Sequence, residues 1–373
     1  MVQRRLLHII PSLEQGGAER MLASFVANDS DNEHIVVKMF AGDGLFEEDV
    51  RASGARLVEL GISRSPFVVL TLPLALVRFL ALLITNRPTV VIAWLYYGAL
   101  LSVVAKLLRV PVIWSIHAAS FDLKTSYRPL TRLAIRACLR LSRAVPDYIQ
   151  YCSRESMNHH VGLGFAARNS GVIENAVPLD EAETTDVKAA LAGRPRIACI
   201  ARFEAQKDHD NLLAATAVLA DRDRQFEVLL AGSGCVEDNQ ELAALIRRHG
   251  VEQHVRCLGT LSDVPALIAS CHCIVLSSSD GEAMPMVLLE AIAQGRPAVA
   301  TDVGSSAQVI DRFGLVIPPK SPTALADALE QVVWTDRSFS NAASRDGRRY
   351  VIDNFSIGNF IKRWHAVFAE RGF

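Results

Sequence analysis

The sequence predicts an α/β protein made of two doubly wound domains, each with a parallel sheet. Two observations carry this. Short apolar runs of strand length alternate with helical stretches along all 373 residues, the order expected of repeated βαβ units. The rhythm also occurs twice, once on each side of a polar stretch, DEAETTDVKAALAGRP at 180–195, which reads as a linker. Domains at 1–180 and 181–352 follow, each long enough for its own core, with a terminal helix at 353–373.

In the first half, strands are expected at 6–10, 34–40, 90–94, 112–116 and 148–152. In the second they are expected at 196–200, 226–231, 255–258, 273–276 and 298–300. Doubly wound sheets bind ligands beyond the carboxyl ends of their strands, so the residues just after each strand carry the functional information.

Half of the residues are hydrophobic, 21% are charged and the formal net charge is −1. So even a balance argues against a nucleic-acid binder, although local patches can hide in the sum. Seven scattered cysteines without a C-x-x-C pair read as reduced core residues of a cytoplasmic protein, with neither disulfide nor zinc site. The opening MVQRRLLHIIPSL runs from two arginines into a strand pattern and shows no cleavable signal.

The most informative stretch is SSSDGEAMPMVLLEAIAQGRP at 277–297. Pro285 suits a first helical position, and Gly295 with Pro297 stops the helix after about ten residues. Its body is apolar nearly all round, which buries it and obliges Glu290 to find a partner. Glu282 lies in the loop ahead. Between the two carboxylates sits a helix N-terminus, a natural seat for phosphate. A nucleotide sugar fits this layout, with Glu282 accepting from the hexose and Glu290 from the ribose. The plainer alternative is one buried Glu bonded to backbone and one exposed loop Glu.

Three further candidates sit at strand ends. Arg202 and Lys207 follow RIACI; two cations there can hold a diphosphate and stabilise leaving charge, work done elsewhere by a metal, or they are ordinary surface charges. Gly16 and Gly17 follow the first strand and let backbone approach a ligand before a helix opens near Ala18, without forming G-x-G-x-x-G. His117 directly follows VIWSI, where it either meets substrate or is a structural histidine. Asp221 and Asp223 read as a solvated turn, and Gly232 with Gly234 as a tight turn. A glycosidase pair of Glu282 and Glu290 is set aside, because Glu290 lies on an interior helix.

Taken together, these segments resemble the retaining glycosyltransferases of family 4, which have the GT-B fold. The likeness covers GGAE at 16–19, His117 after its strand, ARFEAQKDHDNLL, the Glu282 to Glu290 block and VATDVGSSAQVI at 299–310. It implies that Arg202 and Lys207 bind the donor diphosphate, Glu282 the transferred sugar and Glu290 the ribose. Ala283 and Met284 join the donor-binding set, His117 contacts the sugar near the reacting carbon, and the Gly16–Gly17 loop lies beside phosphate and acceptor. It further implies a UDP- or GDP-linked donor, no metal ion or other cofactor, and a leaving phosphate that takes the acceptor proton. Three positions depart from the family pattern: Ala283 stands for a glycine, Met286 for a polar or small residue, and SSAQ at 305–308 for GGxxE.

Two segments bear on the acceptor. The run PFVVLTLPLALVRFLALLIT at 66–85 is nearly long enough to span a bilayer but contains Pro73 and Arg78, and is expected to be a buried or membrane-touching helix. In YRPLTRLAIRACLRLSR, Arg128, Arg132, Arg136 and Arg140 fall on one face and leucines on another. This suits an anionic membrane surface or a lipid-linked phosphate acceptor, the alternative being a solvated face. The expectation is a retaining hexosyltransferase acting on a cell-envelope or exopolysaccharide acceptor, cytoplasmic and peripheral on the inner membrane face. The alternatives are a sugar-nucleotide epimerase of the same fold and a non-catalytic saccharide- or partner-binding homologue.

Overall fold

The computed structural model describes residues 3–14, 16–64, 68–118, 129–177 and 193–373. Most of the expected linker, its boundary at 180, Pro66 and Arg128 lie outside them. The chain divides into two compact units: Met1–Pro178 together with Ile357–Phe373, and Leu179–Ser356.

Unit 1 is built on seven strands: β1 (Arg5–Ile10), β2 (Glu33–Phe40), β3 (Arg56–Ile62), β4 (Val90–Trp94), β5 (Val112–Ile116), β6 (Tyr148–Tyr151) and β7 (Ser170–Val172). Their order is β3-β2-β1-β4-β5-β6-β7 and every pairing is parallel. Alternation along each strand sorts side chains to the two faces. Leu7 and Ile9 point into a core covered by the helices Val68–Asn86, Leu95–Leu101 and Pro129–Leu141. His8 points to the other face, where Phe25 of the helix Gly17–Asn28 meets Phe360 and Trp364 of the last helix, Ile357–Arg371, at 5.5 Å each. Phe360 and Trp364 thus serve packing within unit 1.

Unit 2 has six strands: β8 (Arg196–Ile200), β9 (Glu227–Ala231), β10 (Val255–Gly259), β11 (Cys273–Leu276), β12 (Ala298–Thr301) and β13 (Gly314–Ile317), in the order β10-β9-β8-β11-β12-β13. The helices His209–Asp221 and Pro322–Glu330 cover one face; the helix Met286–Ala293 packs on the other through Ala291 against Ala198 and Ile274. Gly347 lets the C-terminal helical segment approach so closely that a Cβ there would lie 2.4 Å from the Ile292 carbonyl. Walled in on both sides, this helix is apolar all round for a structural reason.

The ten expected strands are present, with ends displaced by at most one residue. β3, β7 and β13 were not expected. All three are edge strands, and an edge needs no continuous apolar run because one flank of it faces solvent.

Candidate active site

In unit 2 the strand order reverses at β8, with β9 on one side and β11 on the other, so the loops after β8 and β11 leave a switch point of the sheet. Those loops are stitched together. Ser277 Oγ donates to the Lys207 carbonyl at 2.9 Å, and the Ser279 N–H donates to the Gln206 carbonyl at 2.8 Å. Lys207 Nζ then pairs with Glu282 Oε1, and Ser278 Oγ donates to that same oxygen at 2.5 Å. Both side chains are largely buried, 15% and 9% exposed, where an unpaired charge would be costly. Their pairing leaves Glu282 Oε2 without a hydrogen bond among the described residues. Arg202, in contrast, is 46% exposed and sits 2.9 Å from Glu204.

Glycines let neighbouring loops close on this pair. Gly304 has φ of 61°, and a Cβ there would sit 1.7 Å from the Glu282 carbonyl oxygen, so no other residue fits. Gly232 has φ of 139°, with a would-be Cβ 2.2 Å from the Ala201 carbonyl oxygen, bringing the loop after β9 against the residue before Arg202. The tight turn expected at Gly232 is therefore also a close approach at the site.

Pro285 is the N-cap of the helix Met286–Ala293, one position earlier than expected, and the helix has eight residues. It ends early because Gly295 turns left-handed and the Arg296 N–H bonds back to the Ala291 carbonyl at 2.9 Å. Glu290 is 6% exposed and Met284 5%, both in unit 2 with Lys207 and Glu282. Ala283 and Ser305, two positions that depart from the family pattern, touch each other: Ser305 Oγ donates to the Ala283 carbonyl at 2.9 Å. The extra side chain at 305 thus braces the loop that presents Glu282.

In unit 1, Gly16 caps the helix Gly17–Asn28, and a Cβ at 16 would lie 2.1 Å from a Glu19 carboxylate oxygen. Glu19 stands at the third helical position with its carboxylate folded back over the helix start, the carboxylate half of a capping box whose other half Gly16, having no side chain, does not supply. Gly17 has open space around its would-be Cβ.

His117 is half-buried, and burial pulls its pKa down to about 4, with Asn175 opposing. Ser115 Oγ donates to Gln150 Oε1 at 2.5 Å, and Gln150 Nε2 donates to the Ile173 carbonyl at 2.7 Å. Ser115 therefore has only its lone pairs left for His117 Nε2, 2.9 Å away, which assigns the ring proton to Nε2. Trp94 stacks on this imidazole with centroids 5.0 Å apart, and its Nε1 donates to His8 Nδ1 at 3.2 Å. His8 Nε2 lies 3.0 Å from His34 Nδ1, and His34 is 3.3 Å from Asp29. Burial pulls the His8 pKa well below its ordinary value.

Ser278, Gly304, Ser115 and Trp94 were not among the expected site residues. Trp94 ends a strand, the same signal that picked out His117. Ser278 and Ser115 offer none, because a serine's partner is decided by the fold. Among the described residues, the one group able to gather three metal-ligating atoms is Asp29, Asp31 and His365, at the far end of the row His117, Trp94, His8 and His34.

Residues 194–334 match the family described as glycosyl transferases group 1, and residues 15–181 match the one described as glycosyltransferase family 4. The chain belongs to the family 4, group 1 glycosyltransferases. EpsF of Bacillus subtilis is 26% identical to this glycosyltransferase over 94% of the chain and 91% of its own length. An exopolysaccharide phosphotransferase of Streptomyces coelicolor is 30% identical over 56% of the chain, but the match spans only 21% of that protein. The crystal structure of Anabaena HepE with UDP-glucose superposes with a TM-score of 0.83 at 18% identity, covering 99% of this glycosyltransferase and 100% of that chain. Sucrose-phosphate synthase from Thermosynechococcus elongatus does so with a TM-score of 0.77 at 17% identity and 99% coverage of each. The fold is GT-B.

Proposed function

We propose that this glycosyltransferase moves a hexose from a UDP- or GDP-linked donor to a cell-envelope or exopolysaccharide acceptor, with retention and without a metal ion. The observation that carries the reading is the buried Lys207–Glu282 pair at the switch point of unit 2, close in sequence to the N-terminus of the helix that holds Glu290. Lys207, Arg202 and the first N–H groups of that helix supply positive charge for a diphosphate. Glu282 Oε2 accepts from hexose hydroxyls, Glu290 accepts from the ribose, and the Ala283–Met284 backbone lies between.

The reaction breaks the bond from the anomeric carbon to the phosphate oxygen and forms one from that carbon to the acceptor oxygen on the same face. The acceptor proton passes to the leaving phosphate, so no side chain acts as nucleophile. His117, neutral at pH 7, exchanges its Ser115 contact for a sugar hydroxyl. The names of the relatives support the acceptor class, since the Streptomyces protein is named for exopolysaccharide.

Calorimetry of UDP and GDP with EDTA present, on wild type and Glu290→Ala, tests this reading. One nucleotide should bind and lose most of its affinity in the variant. Absence of binding by either at millimolar concentration would overturn the proposal in favour of a non-catalytic homologue. With donor turned over, consumption that needs no acceptor would instead identify an epimerase, and an inverted anomeric product would remove the retaining mechanism.

A further inference from the structure

We infer that unit 1 docks on an anionic lipid bilayer through the helix Val68–Asn86, which lies in the plane of the lipid surface. This helix connects β3 at the sheet edge to β4, passing β2 and β1 on the way. It holds the sheet by a single stripe, Ala75, Phe79 and Leu83, spaced one turn apart. Val68 and Leu82 pack partly against the same core, while most of the remaining aliphatic side chains turn outward: Val69, Leu70, Val77 and Ile84 are 75, 73, 64 and 57% exposed. It is the one helix among the described residues with the length and composition to cross a membrane, and only 17% of its most apolar window is buried. Tethered at both ends and packed along its inner stripe, it cannot leave the sheet to span a bilayer without dissolving that core.

Two details make this face a lipid surface. Arg78, the one charged residue in the helix, is exposed but reaches along the helix to the sheet edge, donating to the Leu60 carbonyl at 3.3 Å. The exposed aliphatic side chains from Val69 to Ile84 extend over about 23 Å, at 1.5 Å per residue, with this long, flexible arginine the one charge among them. The surrounding sequence is strongly basic: residues 61–146 contain eleven Lys and Arg against one Asp, in a chain of 39 against 40 overall. The helix Pro129–Leu141 covers the same face of the sheet and exposes Leu130 and Leu133 beside Arg136 and Arg140. Exposed aliphatic side chains on a sheet face that also presents cations suit acyl chains beneath anionic head groups.

A second copy of the chain suits this face poorly. Protein interfaces are enriched in aromatic residues, Met and Arg at their centre, whereas this strip is Val, Leu and Ile. A symmetric contact would also press one basic stretch against another. The apolar helix, rather than the arginine row alone, is then the principal anchor. This inference is independent of the donor-site reading, since vesicle binding and nucleotide binding can fail separately.

The test is flotation of the full chain with vesicles of phosphatidylcholine alone and mixed with phosphatidylglycerol, at low and high salt. The comparison is with a Leu70→Gln, Val77→Gln, Ile84→Gln variant and with Arg136→Ala, Arg140→Ala. Wild type should float with the mixed vesicles and largely stay there in high salt, because apolar burial is not screened. The glutamine variant should lose at least about tenfold in binding. The arginine variant should weaken only on the charged vesicles. No flotation of wild type at low salt would overturn the inference. So would a glutamine variant that binds like wild type, which would assign attachment to the arginines. A wild-type dimer split by the glutamine changes, with no flotation, would assign the face to a second copy. Circular dichroism and thermal unfolding check that each variant is folded, as the exposure of the changed positions leads one to expect.

Discussion

The two units share an architecture and differ in what they do with it. Unit 1 carries 22 Lys and Arg against 15 Asp and Glu, and unit 2 carries 17 against 25, so a chain of net charge −1 consists of a basic half and an acidic half. Unit 1 buries His8 and His160, half-buries His117 and exposes a long aliphatic helix; unit 2 largely buries an ion pair in the loops ahead of the helix Met286–Ala293. The lesson is that an even overall charge can be the sum of two specialised surfaces. In unit 2 the acidic balance makes the largely buried cation Lys207, paired with Glu282, stand out.

Acid should break the symmetry most strongly. Burial lowers the pKa of His117 and His160 in unit 1, and of His209 in unit 2, to about 4, and also pulls that of His8 well below its ordinary value. Between about 4 and 6.5 the unfolded chain binds protons that the folded chain refuses. Stability is therefore complete above pH 6.5 and falls as pH drops toward 4, by up to about 2 kcal/mol at pH 5 for each histidine lowered to about 4. Segment-resolved hydrogen exchange at pH 7 and pH 5 should show unit 1 loosening first; equal loss in both units would contradict this.

The next largest effect belongs to unit 2. Lys207→Ala removes the charge facing Glu282 and the leaving diphosphate, and should lower kcat/KM on the order of 100- to 1,000-fold. A milder loss would move the diphosphate contact to exposed Arg202. Gly304→Ala forces a methyl into the Glu282 carbonyl at a left-handed backbone position, and should cost at least about 2 kcal/mol in unfolding free energy. Urea titration checks this, and an unchanged midpoint would mean that the loop carrying Glu282 can yield.

A smaller effect separates the units kinetically. Trp94→Leu removes the ring stacked on His117 and should lower kcat about tenfold through misorientation, leaving nucleotide affinity in unit 2 untouched. Loss of nucleotide affinity instead would show that unit 1 shapes the donor site. The smallest is Ser305→Gly, which deletes one neutral hydrogen bond to Ala283 and should cost about 1 kcal/mol. Since glycine is the family's residue there, activity should persist.

Alternation of short apolar runs with helical segments was enough to place ten strands, because central parallel strands are buried on both faces and must be apolar throughout. It also singled out Arg202, Lys207 and Glu282 as candidates, because the loops after such strands are where doubly wound sheets bind ligands. The polar partners that hold those residues were not readable. A serine such as Ser278 or Ser115 has the same local signature whether it donates to a site carboxylate or to solvent. Whether the run at 68–86 would be core or surface was equally undecided, because hydropathy measures what a helix prefers and not how many of its sides find protein. Sequence alone determined the two-unit α/β fold and the chemical inventory of its strand ends. Tertiary structure decided that Lys207 meets Glu282, that Trp94 lies on His117, and that an apolar helix keeps one narrow stripe for the core and turns most of the rest outward. The physical reason is the same in each case: periodicity is local, while burial and pairing depend on neighbours distant in the chain.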